Sequence, residues 1–375
     1  MMTARERLLT VLQRGQPDRV PVTIYEYSPH NPQGWFNREP SYAPLMELQR
    51  RYGDNFAWAP LDDCPILLGD PNSMHGDERR AADGTLVQTT EIETPRGKLR
   101  AVSRRDPGLM TNWQVEPLIK SDEDIERVLS MPDPPCRANV SRLRELERQV
   151  GDNGVLLFSL GDALGHVVGL FDFEDFVLRC VQDDGPIRAL LDKAQAQVLR
   201  AIREYGWGVK NAGIRLWGPE YAGSPLMNPA VYFRRYVVEQ DRQATQAIHE
   251  SGNYSVIHCH GRLRALLDMI LEIGADVLEP VETLPMTTAD VSLADVKARL
   301  AGRMCIMGAV QALTLETATP DQMRQAVREA IDVGAPGGGF VLLPTAAPFM
   351  VPLDPRCLAN ARVMYETAHE DGRYH

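Results

Sequence analysis

The sequence predicts an α/β fold, a (β/α)8 TIM barrel with a β-hairpin inserted in its N-terminal third. Three observations carry this expectation. From residue 150 onward, short apolar runs alternate with amphipathic helical stretches, as repeated βα units do. The runs lack polar alternation, as parallel strands buried on both faces require. Each run ends in polar or special residues, at the end where a barrel gathers its active site. No GxGxxG follows an early strand, which argues against an open, doubly wound sheet.

Taken in chain order, residues 3–14 pattern as a helix closed by Gly15 and Pro17. VPVTIYEY (20–27), β-branched and aromatic, reads as the first strand. Residues 28–44, rich in Pro, Asn and Gly, read as an irregular loop, and 44–52 as a helix. Between 75 and 115 the period changes to two. TLVQTTEIET (85–94) and LRAVSRRD (99–106) flank PRGK, the pattern of a hairpin. Residues 121–131 and 138–150 are helical and are separated by MPDPP. Six apolar runs follow: GVLLFSLGD (154–162), GIRLWGPE (213–220), YSVIHCHG (254–261), VLEPVE (277–282), MCIMGAVQ (304–311) and FVLLPT (340–345). Helical stretches separate them, and a last helix spans 354–370. With VPVTIYE and one strand whose position the pattern leaves open, the runs make eight. The chain reads as a single domain, 1–375, with 75–115 as the insertion.

The composition is globular, with 44% hydrophobic and 24% charged residues. A net charge of −11 disfavours nucleic acid and anionic membranes as partners. The first residues lack an apolar signal core, and no stretch has the length of a membrane span. Six scattered cysteines without a CxxC pair predict reduced thiols and a cytoplasmic protein.

The strand ends hold the candidate chemistry. His258 and His260 stand at i and i+2, so on a strand both rings face one way and Cys259 faces the other. Two imidazoles at one strand end make half of a zinc site, which Glu220 or Glu282 would complete. The alternative is one core histidine and one that hydrogen-bonds substrate. Asp162 suits either acid–base catalysis or capping of the helix behind it, and Glu282 is a second acid–base candidate. Tyr25, Tyr27, Trp217 and Gln311 are candidates for lining the substrate pocket. Gly337–Gly339 suit a sharp turn or the close approach of a substrate.

RERLLTVLQRGQPDRVPV, GDALGH (161–166), the HCHG block, GADVLEPVE (274–282), MGAVQ and GGGFVLLPT together resemble the uroporphyrinogen decarboxylase superfamily over nearly the whole chain. That resemblance implies a (β/α)8 barrel with a deep C-terminal-face pocket, and a homodimer. True decarboxylases of the superfamily carry an arginine-rich RQAGRY-like segment; here the region reads TIYEYSPHNPQGW. The other branch contains cobalamin-linked methyltransferases, many with zinc on an HxC motif and a later cysteine. His258 matches the histidine, His260 stands in the cysteine's place, and the later position falls near Ala346. The resemblance therefore implies a metal-dependent methyltransferase, with zinc on His258, His260 and Glu220. It would pass a methyl group from a small O-methyl donor to a corrinoid protein, the cobalamin being carried by that partner. The alternatives are a decarboxylase-like carbon–carbon lyase of porphyrin metabolism and a non-catalytic barrel that binds a small molecule.

Overall fold

The computed structural model describes residues 1–31, 33–59, 64–68, 74–206 and 208–374. Among these, the strands in chain order are β1 (Asn55–Ala59), β2 (Met74–Arg80), β3 (Leu86–Thr94), β4 (Gly97–Arg105), β5 (Trp113–Glu116), β6 (Gly154–Ser159), β7 (Gly213–Trp217), β8 (Tyr254–His258), β9 (Val277–Val281), β10 (Cys305–Val310) and β11 (Phe340–Pro344). They form two sheets.

The main sheet has seven parallel strands in the order β1-β6-β7-β8-β9-β10-β11. Helices intervene between the strands from β6 onward, so each strand is buried on both faces and reads as an apolar run. The expected first strand is reduced to a bridge. Val22 pairs with Leu342 in parallel, Leu342 N–H donates to the Pro21 carbonyl, and Asp54 N–H donates to the Val22 carbonyl. Residues 21–23 thus sit at the seam between β11 and the start of β1, and the sheet curls into a TIM-like α/β barrel. The strand left open by the pattern is β1, NFAWA, which is short and preceded by a polar turn.

The second sheet is antiparallel, β2-β3-β4-β5. The sequence suggested a single hairpin at 75–115. β3 and β4 do pair from Leu86↔Arg105 to Thr94↔Gly97, but β2 and β5 extend the pairing on either side. Their burial is low, so neither shows the apolar face on which a sequence pattern depends.

Inside the curl, alternate strand positions build one apolar cluster: Phe56, Val155 and Leu157, Val256, Val277, Cys305 and Met307, Val341 and Leu343. Leu8, Val11 and Leu12 of the helix Ala4–Leu12 join it. That helix is fixed at its start by a capping box between Thr3 and Glu6. It plugs the N-terminal end of the sheet and leaves the C-terminal ends for chemistry.

Four cysteines are free and buried, but Cys64 and Cys136 form a disulfide, which corrects the expectation of reduced thiols throughout. They lie 72 residues apart, and only the fold brings their Cα atoms to 4.2 Å. Among the described residues no helix is long and apolar enough to cross a membrane.

Candidate active site

The C-terminal ends of β6 to β9 hold a buried polar cluster centred on a residue the sequence reading passed over. Arg215 lies in the middle of β7, between Ile214 and Leu216, and is 5% exposed. Its Nε donates to Glu279 Oε1 at 2.5 Å, and Nη2 pairs with Glu26 at 3.2 Å. Nη2 also contacts the Tyr25 hydroxyl and lies 2.6 Å from His258 Nδ1. The guanidinium stacks over Trp58, 4.9 Å from the ring centroid. Burial alone would raise the Glu279 carboxyl. The charges and hydrogen bonds of Arg215 and His258 reverse this and hold it at about 2. A charged side chain inside an apolar parallel strand was the signal available in the sequence.

His258 is held through Nδ1 by this cluster: Tyr25 Oη lies at 2.9 Å and Glu279 Oε1 at 3.1 Å. β8 and β9 are in register at His258↔Glu279, which is why the two meet. The other nitrogen, Nε2, faces Glu220 Oε1 at 3.8 Å, too far for a hydrogen bond. Glu220 is held in place by the Gly218 N–H, which donates to its other oxygen at 3.1 Å. Gly218 has φ +129°, and a Cβ there would lie 2.1 Å from Asp162 Oδ1, so the exit from β7 requires glycine.

β8 ends at His258, so His260 lies beyond the strand and the i, i+2 argument fails as stated. The two rings still meet edge to face, with centroids 4.6 Å apart. Glu282 fixes His260, with Oε1 at 3.0 Å from Nδ1, and its second oxygen accepts from the Gly261 N–H. Burial opposes the imidazolium of His260, but the Glu282 hydrogen bond and charge outweigh it and raise its pKa. His260 is the more open of the pair, with its side chain 36% exposed against 8% for His258.

The metal expectation meets a specific obstacle. Among the described residues no group of three or more His, Cys, Asp and Glu is gathered so as to hold a metal ion. Of the three expected ligands, His258 Nε2 and Glu220 Oε1 face each other, while His260 is engaged through Nδ1 by Glu282. A catalytic zinc takes three protein donors, and a histidine held at Nδ1 by a carboxylate still offers Nε2, so the donor types are present although no such set is gathered among the described residues.

The remaining expected residues are placed as follows. Asp162 is 1% exposed and caps the helix Ala163–Val168, accepting from Gly165 N–H at 2.6 Å, which is the capping alternative. Trp217 packs over Gly165, where a Cβ would meet its ring at 2.7 Å. Tyr25 belongs to the buried cluster, not to an open wall. Tyr27 donates its hydroxyl to the Pro348 carbonyl and packs among Trp35, Phe36 and Tyr42, so it serves the core. Gln311 donates to the Thr283 carbonyl at 3.0 Å, and its buried Oε1 has no partner among the described residues. Gly337–Gly339 precede β11, at the opposite end from this site, as a turn.

Asp241, on the helix Glu239–Glu250, was also missed. It is fully buried, and neither carboxyl oxygen has a hydrogen-bond partner among the described residues. Burial, and then the charge of Glu220, raises its pKa; burial and the charge of Asp241 raise that of Asp162. A raised carboxyl contributes stability present below its unfolded pKa and lost as pH rises through the folded value. Asp241→Asn is therefore expected to stabilise the fold at pH ~7, because the amide does not titrate and escapes the loss of stability that the raised carboxyl brings, while its polar atoms stay as buried as before. The gain should vanish near pH ~4, where an ordinary Asp takes up its proton. Urea unfolding at the two pH values measures this, and a variant that is less stable at pH ~7 would show that the carboxylate is ionised and compensated.

Residues 223–370 match the family profile described as Uroporphyrinogen decarboxylase (URO-D). No curated protein sequence matches the chain. Among solved structures, the fold is similar to that of a methyltransferase from Methanosarcina mazei. The two share 15% identity with a TM-score of 0.62, over 99% of each chain. A D-psicose 3-epimerase is similar at 11% identity and a TM-score of 0.38, over 62% of this chain and 84% of the other. The profile match takes in the HCHG, GADVLEPVE, MGAVQ and GGGFVLLPT motifs, and the full-length likeness is one of fold.

Proposed function

We propose that this chain is a methyltransferase of the uroporphyrinogen decarboxylase superfamily, which removes a methyl group from a small O-methyl donor for delivery to a corrinoid protein. The observation that carries the proposal is the pair His260–Glu282 at the open edge of the buried Arg215–Glu279–His258 cluster. Demethylation of an ether or alcohol leaves negative charge on oxygen, and a proton donor must meet it. Glu282 orients His260 through Nδ1 and favours the imidazolium, so Nε2 is the nitrogen left for a donor. His260 would protonate the departing oxygen. Glu220, facing His258 Nε2, would receive a hydroxyl or amine of the donor. Arg215 and Glu279 keep His258 from rotating. The chain itself carries no DxHxxG corrinoid segment, so the acceptor would be brought by a partner.

A partner protein is also favoured by the surface. Leu284, Leu313, Phe349 and Met350 are exposed, and they stand on the segments that follow β9, β10 and β11, around the same end of the sheet. Exposed apolar side chains grouped about a site mark an interaction face.

The test is a panel of methanol and methoxylated aromatic donors with reduced cobalamin as acceptor, followed by the cob(I)alamin spectrum. Metal content is measured in parallel for wild type, His258→Ala and His260→Ala. Methylcobalamin formation from at least one donor is expected. Carbon dioxide release from a small acid without methyl transfer would move the assignment to a lyase. One zinc per chain lost in both variants would restore the metal mechanism in place of the protonation described.

A further inference from the structure

At the end of the sheet opposite the site, a cavity of about 620 Å³ opens between three distant parts of the chain. The helix Ala43–Tyr52 supplies Arg50 and Arg51, the N-terminal segment supplies Arg7 and Arg19, and the C-terminal segment supplies Arg373. Three carboxylates, Asp18, Asp54 and Asp152, line the same space. Five guanidinium groups therefore face three carboxylates, in a chain whose net charge is −11.

The count does not show how the charges are used, because Asp54 and Asp18 are already committed and leave Asp152 as the remaining carboxylate. Asp54, fully buried, accepts from Arg7 at 2.5 Å and from Arg19 at 2.7 Å, and Asp18 holds Arg7 at 2.7 Å. Arg373 stands directly opposite Arg19 in an antiparallel bridge. Like charges placed opposite each other across a bridge repel. Arg19 is neutralised by Asp54, whereas Arg373 has no carboxylate partner among the described residues. Arg51 lies over the Tyr52 ring, 5.0 Å from its centroid, and likewise lacks a carboxylate. Arg50 is in an exposed ion pair with Glu47. His369, in the same cavity, reports the local field: burial first, and then the charge of Arg19, lower its pKa.

We propose that this cavity is a second binding site, for a small oxyanion of two or more negative charges, with Arg51 and Arg373 as its primary contacts. Guanidinium groups present paired N–H donors that suit phosphate and carboxylate oxygens, and several converging on one cavity neutralise a polyanion. The site is remote from the His258–Glu282 region and does not depend on the activity proposed there. Its occupant would tie the segment around Arg19, which lies beside the seam of the sheet, to the C-terminal segment.

Inorganic pyrophosphate serves as the probe, titrated calorimetrically and by thermal unfolding at constant ionic strength, with sodium sulfate as the comparison salt. A saturable rise in Tm with one pyrophosphate per chain is expected. Arg51→Ala and Arg373→Gln are each expected to weaken binding by about tenfold or more, the loss of a charge-assisted hydrogen bond. Arg51 is exposed and lies over the Tyr52 ring, so its variant should fold and keep the Tm of the anion-free protein. Arg96→Ala, in the turn between β3 and β4, should bind as wild type does. Absence of saturation, or equal binding by wild type and both cavity variants, would overturn the proposal.

Discussion

Arg215→Ala is expected to cost 3–5 kcal/mol of folding stability at pH ~7, the penalty for leaving one partner of a buried ion pair without the other. Glu279 is 1% exposed, and without the guanidinium its carboxylate keeps only His258 as a partner among the described residues. The pH dependence gives a second readout. In the wild type Glu279 is depressed to about 2, so its contribution is present above the unfolded carboxyl pKa and lost as pH falls through about 2. The deficit of Arg215→Ala should therefore be largest near neutrality and shrink in acid. Replacing both partners, with Arg215→Met and Glu279→Leu, should recover much of the loss, since apolar groups of similar volume carry no desolvation cost. Urea unfolding of the three proteins decides the matter. A single variant within about 0.5 kcal/mol of wild type would mean that the cluster is solvated and not a buried pair.

His260→Ala should lower kcat for methyl transfer by about 10²- to 10⁴-fold, the range for removal of a general acid, with KM changed far less. Glu282→Gln keeps the shape of the site but removes the charge that favours the imidazolium. The alkaline limb of the rate profile reports loss of the His260 proton, so in Glu282→Gln that limb should move to lower pH. For the raised His260, the stabilising interaction with Glu282 is fully present below the unfolded histidine pKa of ~6.5 and lost as pH rises through the folded value. A His260→Ala enzyme with wild-type kcat, or a pH profile unmoved by Glu282→Gln, would remove His260 from the proton-donor role and leave it a wall of the pocket.

Much of the architecture was legible in the sequence because it is local. An apolar run of five or six residues between two helical stretches needs no knowledge of its neighbours, and β6 to β11 fall where the runs were seen. The seam segment looked like a full strand by composition, yet it pairs only at Val22. β1 was too short and too plain to be marked. The antiparallel sheet showed its central hairpin and hid its outer strands, which have no buried face.

At the site, strand ends indicated which residues converge but not what each of them meets. His258, Glu220 and Glu282 were named from position alone, and the structure places all three together with His260. Arg215, Glu26 and Glu279 come from places up to 253 residues apart in the chain, and no pattern within any one segment links them.

By itself, the sequence determined the succession of strands and helices, the end of the sheet at which polar residues gather, and His258 as a residue facing that end. Those follow from periodicity and burial, which each segment carries within itself. Only the tertiary structure decided that Arg215 and Glu279 neutralise each other, that His260 belongs to Glu282, that Tyr27 serves the core, and that Cys64 meets Cys136. The physical reason is that strand register and curl set which side chains share a space, and those depend on contacts between segments far apart in sequence.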